Sequence, residues 1–225
     1  MRTRLLLILG FVALLGLVVL LLNPVRNTVT RLGILLCVLV PLGLAICQTW
    51  KTWQIGKATL VVVVGCLGWG MATLKFTPLP RDVFARSLKG YLETPYVWGG
   101  ETKNGIDCSG LIRMAMRDAY FSQGQFGAAM RIWFFDSAAK DLAVKYQSVL
   151  EPIGQSPSIA ELDSETIPIG SVAVTDKGVH TLAYLGNGHW IQASPDDRIV
   201  NIKPASAPDS WFGRPVFLFR LKSSR

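Results

Sequence analysis

Apolar positions run in three blocks at the start of this chain. Leu5–Leu22 holds 18 residues with no charged or polar side chain, Leu32–Trp50 holds 19 with Pro41 inside, and Ala58–Leu74 holds 17 between Lys57 and Lys75. About 20 apolar residues are needed to cross the hydrocarbon core of a bilayer as a helix. Each block therefore predicts a membrane-spanning helix, over 5–22, 32–50 and 58–74, within a membrane region of residues 1–76. Trp50, Trp53 and Trp69 stand at or near block ends, where an indole suits the interface. A cleaved leader is the competing expectation for the first block, since Arg2 and Arg4 precede it. Its apolar run exceeds the usual leader core and no small-x-small cleavage pattern follows, which favours an uncleaved anchor.

After Thr77-Pro78-Leu79-Pro80, a short stiff linker, the spacing changes to that of a globular domain over residues 77–225. Val83, Phe84, Leu88, Tyr91 and Leu92 recur at helical spacing behind Asp82, which can cap that helix. A glycine-containing loop, Gly99–Gly105, leads into a second helix over Cys108–Tyr120 with Leu111, Ile112, Ala115 and Ala119 on its buried stripe. A third helix is predicted over Ala129–Tyr146, and Gln147–Pro168, rich in Pro, Ser and Gly, reads as loop. From Gly170 the period drops to two. Strands are predicted over Ser171–Thr175, Val179–Leu185, His189–Ser194, Arg198–Ile202 and Pro215–Leu221, separated by Asp-Lys-Gly, Gly-Asn-Gly and Pro-Asp-Asp turn signals. Helices followed by consecutive strands predict an α+β domain whose helices pack on an antiparallel sheet of about five strands.

Charge changes this picture little. All 15 acidic residues follow Lys75, whereas seven of the 23 Lys and Arg precede Thr77. The formal charge of +8 thus belongs to the flanks of the apolar blocks, and the globular part is nearly balanced. That is poor footing for nucleic-acid binding, which needs a basic face on the folded domain. Among the four cysteines, Cys37, Cys47 and Cys66 sit inside apolar blocks as small hydrophobes. Only Cys108 lies in the polar part, without a disulfide partner there.

Cys108 carries the chemistry. Asp107 before it and Ser109-Gly110 after it are cap and loop residues, so the thiol sits at a helix N-terminus. Unpaired N–H groups and the helix dipole there favour a thiolate and predict a lowered pKa. A thiolate is a nucleophile for acyl transfer and needs a base. The chain has two histidines, His180 and His189, and hairpin spacing separates them by about 17 Å. That separation weakens a zinc site, which needs three or four converging ligands. Gln192 is the candidate to orient the His180 imidazole, subject to the length of one loop. A three-residue loop, Gly186-Asn187-Gly188, sets Leu182 opposite Gln192 and puts Gln192 on the face of His180. A two-residue loop, Asn187-Gly188, sets Ala183 opposite it and turns Gln192 to the other face.

The strings PYVWGG (Pro95–Gly100), DCSG (Asp107–Gly110) and GVHTLAYLGNGHWIQAS (Gly178–Ser194), in this order, resemble the NlpC-type cell-wall peptidases, a papain-like family. The resemblance covers about Arg81–Leu221. It implies Cys108 as nucleophile, His180 as base, Gln192 as the orienting residue and Tyr96 as a wall of the site, with Asp107 and Ser109 beside the nucleophile. It also implies amide hydrolysis in peptidoglycan stem peptides without metal or cofactor. Three departures stand out: Gln192 where His is common, Ser171 where Asp is usual, and a longer stretch between Cys108 and His180.

The expectation is a cysteine peptidase or amidase held in a bacterial inner membrane by several spans, its catalytic domain on the periplasmic or extracellular side. The expected partners are a peptidoglycan peptide and the lipid bilayer. The competing classes are a membrane-proximal acyltransferase or lipid hydrolase of the same superfamily, and an inactive cell-wall-binding module. The order Cys, His, Gln argues against the acyltransferase, whose relatives resemble circular permutants with His before Cys.

Overall fold

The computed structural model describes residues 2–49, 53–135 and 137–222. Three apolar helices come first: α1 (Arg2–Leu22), α2 (Thr28–Thr49, with Pro41 inside) and α3 (Trp53–Ala72). Among the described residues, only Thr28–Ile46 of α2 is long and apolar enough to cross a membrane. The apolar stretches Ile8–Leu22 and Lys57–Ala72 are shorter. The expectation of three spans is therefore reduced to one candidate by length. Trp50 lies outside the described residues, as do the side chains of Cys47 and Trp53.

The basic residues between α1 and α2 are not exposed flanks. Arg26 turns back on α1 and donates to the carbonyls of Leu20 (2.6 Å), Leu21 (3.1 Å) and Asn23 (2.7 Å). It thereby satisfies the unpaired carbonyls at that helix end and meets the negative end of its dipole. The connecting segment also lies along the glycine loop of the domain, with Glu101 N donating to Pro24 O and Arg26 N to Gly99 O.

In the globular part, α4 (Arg81–Lys89) begins at Pro80, which stands as its N-cap; Asp82 makes no cap and pairs with Arg86 one turn on instead. A small hairpin follows, β1 (Glu101–Thr102) with β2 (Gly105–Ile106). Then come α5 (Cys108–Ser122), α6 (Phe126–Phe134) and α7 (Ala139–Lys145). The single helix expected over Ala129–Tyr146 is thus two, broken near Phe135. The break has a physical cause: Arg113 donates to the Ile132 and Phe135 carbonyls, each at 3.1 Å, and Arg31 to that of Phe134 at 3.3 Å. Two guanidinium groups capture the carbonyls at the end of α6.

The sheet has six antiparallel strands in the order β3-β8-β4-β5-β6-β7: β3 (Leu150–Ser156), β4 (Val172–Thr175), β5 (Thr181–Gly186), β6 (His189–Ser194), β7 (Ile199–Pro204) and β8 (Val216–Leu221). Five match expectation within two residues at each end. The sixth, β3, lies in the stretch read as loop. It is an edge strand paired only with β8 and bulged between Pro152 and Gly154, which is where a sheet tolerates proline and glycine.

Both faces of the central strands are covered. Val172, Val174, Ala183, Ile191 and Ala193 pack against α4 and α5. Ala173, Leu182, Tyr184 and Trp190 pack beneath Ile159, Ile167 and Phe212 from two long loops. β4 and most of β6 are consequently buried along their length rather than alternately.

Candidate active site

The helix that begins at Cys108 is fixed before it starts. Asp107 adopts the extended conformation of an N-cap and accepts from Gly110 N at 2.6 Å. It also accepts from the Ser109 hydroxyl at 3.0 Å and from Gly99 N at 2.9 Å. One carboxylate therefore ties the glycine loop to the first turn of α5, and Ser109 serves that tie. The fit needs glycine at two places. A Cβ on Gly110 would overlap the Gly100 carbonyl, and one on Gly100 would overlap the carbonyls of Gly105 and Val97.

Cys108 lines a cleft of about 260 Å³ whose walls include Tyr96, Trp98, Asp107, Ser109, Ser137 and Val179. Tyr96 is part of that lining, and burial together with nearby Cys108 and Asp107 pushes its phenol pKa upward. Ser137 and Ala139 bring the long insertion into the wall; Glu101 and Arg113 lie behind it. Glu101 is 4 % exposed and lies between Arg31 (2.7 Å) and Arg113 (2.6 Å). A residue from the first turn of α2 thus completes a buried ion triad behind the cleft.

Cys108 is held by the two neighbours of His180. Its Sγ lies 3.8 Å from the Val179 carbonyl, and its own carbonyl accepts the Thr181 hydroxyl at 2.7 Å. Among the described residues, no hydrogen bond joins the thiol to the imidazole in this resting state; catalytic contacts are often long without substrate. His180 is 1 % exposed, and its Nε2 lies 2.7 Å from Gln192 Oε1. Its ring stacks on Trp211 with centroids 4.4 Å apart. His189 is exposed at the hairpin tip and bonds Asn187 O, apart from His180 as expected.

The register that brings Gln192 to His180 combines both loop lengths. Gly186 pairs with His189 across a two-residue turn of Asn187 and Gly188, both at positive φ, as a type I′ turn requires. A bulge at Leu185 then restores the register, so Ala183 pairs with Ile191 and its continuation sets Leu182 opposite Gln192. The expected face is reached, but by a bulge.

The electrostatics differ from expectation. Burial, followed by the Asp107 charge, pushes the Cys108 pKa up to about 11 rather than down. The helix N-terminus does not outweigh the loss of water around the sulfur. Burial also takes His180 down to about 4, opposed by the Gln192 hydrogen bond and by Asp209. Both shifts favour the uncharged thiol and imidazole. Among the described residues, no cluster of metal-ligating side chains is found.

Sequence reasoning missed Trp211 and Asp209. Asp209 accepts from Gln192 Nε2 at 2.8 Å. The one local signal was the Pro-Asp-Ser-Trp turn at 208–211, which carries no hint of what it faces.

The NlpC/P60 family model matches residues 93–211, more than half of the chain. A search of the curated proteins gives no match. Among solved structures, NlpC2 from Trichomonas vaginalis is similar at 20 % identity and TM-score 0.43, over 66 % of this chain and 49 % of that one. The chain thus spans about half of that relative. RipB from Mycobacterium tuberculosis, described as a peptidoglycan hydrolase, is similar at 22 % identity and TM-score 0.37, over 81 % and 91 %. The NlpC/P60 domain of the peptidoglycan hydrolase SagA gives 19 % and 0.38, over 62 % and 98 %.

Proposed function

The chain belongs to the NlpC/P60 family, and on that premise we propose that it is a membrane-anchored cysteine hydrolase of amide bonds in peptidoglycan stem peptides. The single observation that carries this reading is Cys108 at the capped start of α5, against the strand that opens beside His180.

Since both groups are neutral at rest, His180 acts as a general base rather than as half of a standing ion pair. Nε2 is engaged by Gln192, which leaves Nδ1 to take the thiol proton as sulfur attacks the substrate carbonyl. The positive end of the α5 dipole favours the developing oxyanion, although Gly110 N itself is held by Asp107. The imidazolium then protonates the leaving amine, and His180 activates water to release the acyl group from sulfur. Giving its proton to Nδ1 requires the thiol S–H to turn from the Val179 carbonyl.

Anchoring is assigned to α2, the helix with the required length. Arg31 in the first turn of α2 pairs with Glu101, so the globular part lies on the side of the membrane that this end of α2 faces, and the reading places that side outside, where peptidoglycan is. A C-terminal reporter that works only in the cytoplasm contradicts that side. The hydrolase reading is tested by incubating the full-length protein with purified peptidoglycan and mapping the fragments by mass spectrometry. New peptide termini are expected. Their absence with folded wild-type protein contradicts the reading.

A further inference from the structure

Gln192 can serve His180 in two ways, because its amide has an acceptor end and a donor end. Only the acceptor end, facing Nε2, keeps the ring proton there and leaves Nδ1 as a base. Nothing in Gln192 itself selects that end. The selection comes from its other side, where Nε2 of the amide donates to Asp209 Oδ2 at 2.8 Å. A carboxylate accepts only, so it fixes the amide polarity.

Asp209 is built for this. Its side chain is 3 % exposed. Oδ2 also receives Lys203 Nζ at 2.8 Å, and Oδ1 receives Trp211 N at 2.9 Å. The same carboxylate therefore anchors the residue whose ring stacks on His180. Trp211 is backed by the Arg214 guanidinium, 4.3 Å from its ring centroid. Loop 205–214 thus holds the imidazole through two contacts, one edge-on through Gln192 and one face-on through Trp211.

We propose that Asp209 is a positioning residue that sets the tautomer of His180, by forcing Gln192 to present its oxygen to Nε2. This rests on the reading of His180 as the base. The Asp209→Asn side chain offers one acceptor where two are needed. The asparagine oxygen faces either Lys203 and Gln192 or Trp211 N; in the second orientation the NH₂ group faces Gln192, which turns over and donates to Nε2, and in that population the ring proton moves to Nδ1. Combining Asp209→Asn with Gln192→Glu reverses both ends of the contact and restores an acceptor opposite Nε2.

The experiment is 15N NMR of the histidine rings at neutral pH in the full-length protein, for wild type, Asp209→Asn, and Gln192→Glu with Asp209→Asn. The wild type is expected to show a protonated Nε2 and a bare Nδ1 at His180. Asp209→Asn is expected to shift population to the other tautomer, and the paired variant to return it. Where hydrolysis is followed, kcat falls at least about tenfold in Asp209→Asn while KM stays within about twofold. An unchanged tautomer in Asp209→Asn overturns the proposal, as does a paired variant that does not recover. Should Asp209→Asn not fold, Asp209→Leu decides in its place: a ring that gains the Nδ1-protonated tautomer supports the proposal, and one that stays protonated at Nε2 alone overturns it. The NMR result does not depend on turnover, so failure of the hydrolase reading is seen separately, as absent fragments with an intact tautomer.

Discussion

His180 Nε2 and Gln192 Oε1 lie 2.7 Å apart across a hairpin whose turn has two residues and whose register is set by one bulged residue, Leu185. Truncating Gln192 removes a buried hydrogen bond from His180, the proposed base. Gln192→Ala is expected to lower kcat by about ten- to a hundredfold, the loss of a bond worth roughly 1.5–3 kcal/mol once the imidazole is charged. Steady-state hydrolysis of a stem peptide measures it. Unchanged kcat removes Gln192 from the mechanism.

The pH profile follows from a base near 4 and a thiol near 11. Activity rises as His180 loses its proton, so the acid limb of kcat/KM is expected at about pH 4, with a plateau through neutrality. Alkylation of Cys108 by iodoacetamide is expected to be slow at neutral pH and to accelerate towards pH 11. An acid limb near the ordinary histidine value of about 6.5 contradicts the buried base, and fast labelling at neutral pH means a thiolate–imidazolium pair instead.

Stability carries the same sign. His180 binds a proton at 6.5 in the unfolded chain but only at about 4 when folded. Between those values the unfolded state holds more protons, so stability is lost as pH falls through that window, on the order of 3 kcal/mol. Denaturant melts of wild type and His180→Gln compare directly. The pH dependence over that window should shrink in the variant.

Glu101 holds two arginines from distant parts of the chain, Arg31 and Arg113. Removing its charge takes the counter-charge from two buried guanidinium groups behind the cleft. Glu101→Gln is expected to cost about 3–5 kcal/mol, the scale for breaking a buried pair. Chemical denaturation reads it, and a change under about 1 kcal/mol contradicts the burial described.

Gly110→Ala meets the Gly100 carbonyl at the first turn of α5. Backbone must move to admit the methyl, so a loss of about 1–3 kcal/mol is expected together with weaker hydrolysis. Wild-type stability and activity contradict the close approach of the loop to the helix.

Much of the fold was legible in the sequence, for physical reasons that differ by element. Asp107 and Gly110 flanking an apolar helical stripe announce α5 and its cap, since capping is local. The strands from β4 to β8 are marked by turn residues at both ends. β3 was not, because it carries Pro152 and Gly154, residues that suit an edge but mimic a loop. The break between α6 and α7 depends on Arg31 and Arg113, whose carbonyl partners lie 19 or more residues away in sequence. Arg26 and Arg31 read only as flanks of the apolar blocks, and their burial is a tertiary event. Cys108 shows the same limit: its helix end is visible in the sequence, but the desolvation that outweighs it is not. Asp209 and Trp211 meet Gln192 and His180 only through folding of the last loop.

In the proposed reaction Cys108 attacks and His180 takes its proton. The most direct measurement compares fragment release from purified peptidoglycan by full-length wild type, Cys108→Ala and His180→Ala, each shown to be folded by circular dichroism. Release by wild type, with loss of at least about a hundredfold in either variant, is the expected result. Equal release by wild type and Cys108→Ala contradicts it.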